Sequence, residues 1–182
     1  RKKVGGPPFL PVRKQIQVLQ RKLQIHHRNQ FSGGKATTIG EQCSLCQIVG
    51  DSLVVVDDKA HIWEEATITG ILANAKAMSE LSGYAIIIIA ANGTLEMTSQ
   101  EFVNDYYDHV LTSNEDESEL IADGYIFLIN LADREYYLSA YGKAMDVYTD
   151  TVRDELFDEI QQFLVDENHE AAVKKVIENA IY

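Results

Sequence analysis

The chain has 182 residues, 46% of them hydrophobic and 24% charged, with only 3 Pro and 11 Gly, a make-up that excludes collagen, full disorder and a solenoid array. The longest apolar run, Tyr84 to Ala91, is far too short for a membrane-spanning helix. The net charge of -12 is divided unevenly, since residues 1–50 carry nine Lys or Arg against one acid and residues 51–182 carry seven against 27 acids. So acidic a body repels phosphate backbones, which argues against nucleic-acid binding by it, and attracts divalent cations.

The sequence opens on Arg1 rather than Met, as a piece of a longer chain would. Three prolines and two glycines fill Arg1 to Pro11, after which Val12, Ile16, Leu19 and Leu23 recur at helical spacing in a basic stretch reaching Gln30. This predicts an amphipathic helix whose basic face is solvated or lies against anionic lipid or a partner. Phe31 to Glu41 reads as a linker. Cys43 and Cys46 form a single C-x-x-C, which can be half a zinc site with His26 and His27, a redox pair, or a loop with two incidental thiols. Residues 1–50 are therefore read as a basic extension, and 51–182 as the folded body. Four apolar helix positions offset little of the ordering cost of some thirty residues at roughly 1–2 kcal/mol each, so the extension is expected to be dispensable for folding.

From Asp51 strands and helices alternate. Ser52 to Val56 is a β-branched strand, and Trp63 to Leu81 is a helix with Ile68, Ile71, Leu72, Ala75 and Met78 on one face, ended by Ser82-Gly83. Tyr84 to Ala91, with four consecutive isoleucines, reads as a strand buried on both faces. Thr98 or Ser99 caps a second helix running to Val110, and Ser113 to Glu119 is an acidic loop. Tyr125 to Asn130 and Glu135 to Ala140 form a hairpin. Thr149 or Asp150 then starts a helix striped by Val152, Leu156, Phe157, Ile160, Phe163 and Leu164, and His169 to Ile181 is the last one. The expected architecture is an α/β three-layer α/β/α sandwich with a small mixed four-stranded sheet, plus the basic extension.

No nucleophile elbow, Walker loop, dinucleotide fingerprint or H-E-x-x-H occurs, and His61, His109 and His169 stand singly at helix ends, where exposed or capping roles are expected. What stands out is acid next to strands. Asp57 and Asp58 follow the first strand, Asp123 precedes Gly124 and the third strand, and Asp150 begins a helix. Folded onto one sheet edge, Asp57, Asp58, Asp123 and Asp150 would offer hard oxygen ligands suited to calcium, less to magnesium and least to zinc. Read otherwise, Asp150 caps its helix and the others are solvated turn residues.

The order of these blocks resembles the TPM domain family over roughly Leu53 to Ile181. The similarity lies in Val55-Val56-Asp57-Asp58 followed by Ile62 and Glu64-Glu65, then Leu81-Ser82-Gly83-Tyr84, Phe102 to Asp108 and Asp123-Gly124. It continues through Asp133-Arg134, Tyr137, Ser139, Gly142, Tyr148, Thr149 and Asp150, in a version similar to that of clostridial and related Gram-positive members. Gly142-Lys143-Ala144 departs from the family's Gly-Tyr-Gly, Asp123-Gly124 lacks an intervening Asn, and Trp63 stands where a capping Ser or Thr is usual. The resemblance implies an α/β/α sandwich facing out of the cytoplasm or associated with a membrane in the cell envelope, with calcium binding in some members. Two alternatives stand beside this reading. One is a metal-assisted weak acid phosphatase, with Asp57 or Asp123 as general base and Lys143 or Arg134 steadying the phosphate. The other, read from the residues themselves, is an inactive interaction module that presents Tyr106, Tyr107, Tyr136 and Tyr137 to an envelope or membrane protein partner, against the reading that each tyrosine pair puts one ring in the core and one outside.

Overall fold

Backbone pairing assembles one five-stranded sheet whose strands lie side by side in chain order. The computed structural model of the chain describes residues 44–49, 52–107 and 123–179. The strands are β1 (Ser44–Val49), β2 (Ser52–Asp58), β3 (Ala85–Ala91), β4 (Gly124–Asn130) and β5 (Glu135–Tyr141). The central three run parallel, and β1 and β5 flank them antiparallel. All four expected strands are present. The fifth, β1, is an addition: Cys46 lies in it, paired with Val55, so its segment is a strand rather than a loop and the sheet starts ahead of residue 51. The expected leader helix, the linker, Cys43 and the acidic loop lie outside the described residues.

Side-chain alternation divides the strands between two cores. Val54, Val56, Ile86, Ile88, Ala90, Tyr125, Phe127, Ile129, Tyr136 and Leu138 face one side. There they meet α1 (Glu65–Ser82), α4 (Asp150–Val165) and α5 (His169–Glu178). On the other side, Leu53, Val55, Ile87, Ile89, Ile126 and Leu128 pack with Phe102, Val103 and Tyr106 of α2 (Ser99–Tyr106). Burial on both faces is why β3 reads as an unbroken apolar run. Its four isoleucines are at most 1% exposed, and each contributes about 1.5–3 kcal/mol of transfer free energy.

Local chemistry sets the helix ends. Gly83 closes α1 in the left-handed conformation at φ 75°, its N–H donating to the Ser79 carbonyl, which a side chain with a Cβ adopts only at a cost. Thr98 caps α2 in a capping box with Glu101. Thr149 caps α4, accepting from the Val152 N–H, so Asp150 is the first helical residue and not the cap. A short α3 (Ala144–Val147), not expected from the sequence, joins β5 to α4.

Candidate functional site

The sheet register separates the four acidic candidates. Asp57 pairs with Ile89 near the end of β3, whereas Gly124, the neighbour of Asp123, pairs with Ala85 at the start of the same strand. Four residues of strand, about 13 Å, lie between those positions, and calcium needs every donor oxygen within about 2.3–2.6 Å. Asp123 thus belongs to the opposite edge of the sheet from Asp57. Among the described residues no three His, Cys, Asp or Glu side chains are grouped as a metal site.

Each of the four carboxylates has a local partner. Asp57, 1% exposed, accepts a hydrogen bond from the Tyr106 hydroxyl at 3.3 Å and lies 3.5 Å from Lys59 Nζ. Asp58 accepts the N–H of Ile62 at 3.1 Å and of Trp63 at 3.0 Å, fixing the turn before α1, whose N-cap Glu64 makes no side-chain cap. Asp123 Oδ1 accepts the Lys143 N–H at 3.2 Å. Asp150 is exposed and pairs with Arg153.

The phosphatase candidates divide the same way. Asp123 and Lys143 sit together at the edge where β4 starts, and Asp57 and Arg134 belong to the edge where the parallel strands end. At the first of these edges the chain is clasped by close backbone approach. A Cβ on Gly124 would collide with the Ala85 carbonyl oxygen, and one on Gly142, at φ 58°, would collide with the Asp123 carboxylate. The clasp uses the single glycine of the Gly142-Lys143-Ala144 segment, and the methyl of Ala144 is buried in the core.

The tyrosines do not form a surface patch. Tyr106, Tyr107 and Tyr136 are buried, and Tyr107 stacks on Tyr141 with ring centroids 3.8 Å apart. Lys59 is a site residue that composition does not reveal. Its side chain is 5% exposed and lies 5.8 Å from the centre of the Tyr106 ring, and burial lowers its pKa against the opposing pull of Asp57.

Beyond the ends of β3 and β4 lies an open groove of about 510 Å³, lined by Glu96, Met97, Thr98, Ser99, Gln100, Asp133, Glu135 and Tyr137. Its floor is a chain of hydrogen bonds. Asn130, fully buried at the end of β4, donates through Nδ2 to Asp133 Oδ2 at 2.8 Å and to Ser99 Oγ at 3.2 Å. Ser99 in turn donates to Glu135 Oε2 at 2.6 Å. Two carboxylates from the β4–β5 hairpin are thereby tied to the first residue of α2, and neither has a basic partner among the described residues. Left-handed backbone at Leu95, Glu96 and Arg134 shapes the groove's surroundings, with φ of 53°, 66° and 52°. The sequence signal for this network was Asn130, a polar residue closing a strand of apolar ones, followed three positions later by an acid.

The profile of the TPM domain matches residues 56–182. The chain belongs to the TPM domain family. Solved structures with a similar fold include the N-terminal domain of a protein from P. gingivalis, at 10% identity and TM-score 0.57, covering 69% of this chain and 78% of that one. The N-terminal domain of the cg2496 protein from Corynebacterium glutamicum is similar at 13% identity and TM-score 0.53, covering 81% of this chain and 82% of that one. BA42 from the psychrophilic bacterium Bizionia argentinensis is similar at 16% identity and TM-score 0.54, covering 67% and 81%. The sequence has no significant match among curated proteins. At these identities the solved structures speak for the fold of this TPM domain alone.

Proposed function

We propose that this TPM domain is a divalent-cation-binding module that takes calcium in the groove beyond the ends of β3 and β4. The observation that carries this reading is the pair of carboxylates, Asp133 and Glu135, held on one groove wall through Asn130 and Ser99 without a cationic partner among the described residues. Hard oxygen donors on an open hairpin suit calcium, which accepts irregular geometry, better than magnesium, which demands an octahedron. The strongly acidic body supports the same charge preference. The module is proposed to act at a membrane-associated or extracytoplasmic position, beside an envelope or membrane protein, as the family resemblance implies. Among the described residues no helix is long and apolar enough to cross a membrane.

Calcium titration of the full chain tests the proposal. Millimolar calcium is expected to raise the thermal midpoint, EDTA to reverse the rise, and amide resonances of Asp133, Glu135 and Ser99 to move together. The double variant Asp133→Asn, Glu135→Gln should abolish the response, and Asp123→Asn should leave it intact. A midpoint indifferent to millimolar calcium would sink the reading.

A further inference from the structure

The contact between His169 and Tyr136 stands apart from the groove and the acidic candidates. His169 is the first residue of α5, after the N-cap Asn168, whose side chain accepts the Ala171 N–H. Its Nδ1 lies 2.9 Å from the Tyr136 hydroxyl, with the rings edge to face at 83° and centroids 5.8 Å apart. Tyr136 is itself buried on β5 against Phe127. This is a side-chain tie between the last helix and an edge strand.

We propose that the His169–Tyr136 pair is an acid-sensitive latch that fastens α5 to β5 while His169 is neutral and loosens when it is protonated. In the neutral Nε2–H form of the ring, Nδ1 accepts a hydrogen bond from the Tyr136 hydroxyl. Protonation gives Nδ1 its own hydrogen, so the hydroxyl must turn, and it places a positive charge at the N-terminal end of a helix, where the peptide dipoles disfavour one. Among the described residues, the groups that act on His169 are the Tyr136 hydroxyl from β5 and the Glu167 carboxylate from the α4–α5 turn, and Glu170 follows in the first turn of α5. Burial disfavours the charged imidazole and outweighs the opposing pull of Glu167, so the pKa of His169 is lowered.

The position of Tyr136 gives the latch an outlet. Its neighbours Glu135 and Tyr137 point to the other face of the sheet and line the groove, so loosening β5 reaches that wall without requiring that the groove hold a cation.

An NMR titration of the wild-type chain between pH 8 and pH 5 tests this without any variant. His169 should titrate below its ordinary value of about 6.5, and the amides of Glu135 and Tyr137 should shift with the same midpoint. Tyr136→Phe should remove that shared midpoint from the β5 amides, and His169→Gln should flatten the part of the thermal-midpoint loss that falls between pH 7 and pH 5. A His169 midpoint at or above 6.5, β5 amides that ignore it, or an unchanged pH profile in His169→Gln would each overturn the latch. Calcium is absent throughout, so failure here is independent of the proposed cation site.

Discussion

Where β2, β3 and β4 end, the polar groups are side chains: Asp57 with Lys59 and Tyr106, and Asn130 with Ser99, Asp133 and Glu135. Where β3 and β4 begin, the fit is made by backbone and missing side chains: Gly124 against the Ala85 carbonyl, and Gly142 against Asp123. Both edges carry an aspartate beside a glycine-bearing or acidic turn, and in a linear sequence they look alike. The parallel register decides between them, because a residue that precedes a strand and one that follows a parallel neighbour lie at opposite ends of the sheet. Ligand sites in open α/β sheets occur beyond the carboxyl ends, so Asp123 becomes part of a clasp while Asp133 and Glu135 line the groove.

The contrast is broken most sharply by removing the buried cation. Lys59→Met removes the Lys59 ion pair from Asp57, which is 1% exposed, and breaking a buried pair costs about 3–5 kcal/mol. Urea unfolding should show a loss in that range, and a loss below about 1 kcal/mol would mean that Asp57 is not held by Lys59. At the opposite edge, Gly124→Ala drives a methyl into the Ala85 carbonyl. Neither backbone can yield cheaply, and a loss of about 2–3 kcal/mol is expected. If Gly124→Ala unfolds at the wild-type urea midpoint, the clasp is not tight.

Asp58→Ala separates the two neighbouring aspartates at the end of β2. It strands the Ile62 and Trp63 N–H groups before α1 and should cost about 1–2 kcal/mol, the range of a lost helix cap. Asp150→Asn is the contrasting change, since that side chain is exposed and paired with Arg153. Its effect should stay within about 0.5 kcal/mol, and its calcium response should match the wild type.

The layers and the strand runs were legible because β3 and β4 are apolar on both faces and α1, α4 and α5 repeat at helical spacing. Residues such as Ile86 to Ile89 cannot be read as anything but a buried strand. β1 was not legible, since Ser44 to Val49 alternates weakly, and its place is seen in its pairing with β2. The site was legible in composition but not in position. Asp57 and Asp58 stand at the expected edge yet are occupied by Lys59, Tyr106 and two backbone N–H groups. Asn130 and Ser99, 31 residues apart, meet only through the β3–α2–β4 crossover. Spacing along a chain does not encode such a meeting. His169, expected to be exposed or capping, is instead half-buried against β5.

The smallest expected effect lies on the groove's own rim and tests whether that edge is ordered by its side chains. Glu101 accepts from the Thr98 backbone N–H at 2.8 Å and from the Thr98 hydroxyl at 3.0 Å, while the Thr98 hydroxyl accepts the Glu101 N–H at 3.2 Å. The Thr98 backbone bond, followed by its hydroxyl bond, holds the Glu101 carboxyl below its ordinary value. The ionised form is therefore the one the fold favours. Its stabilisation is fully present above the unfolded value of about 4.3 and is lost as pH falls through the lower folded value. Carboxylate resonances should place the Glu101 midpoint below the ordinary value of about 4.3. In Thr98→Ala the hydroxyl contribution disappears while the backbone bond survives, so the midpoint should rise part of the way back. A wild-type Glu101 midpoint at or above about 4.3 would show that the capping box does not hold in solution and that this side of the groove is less ordered than the hairpin facing it.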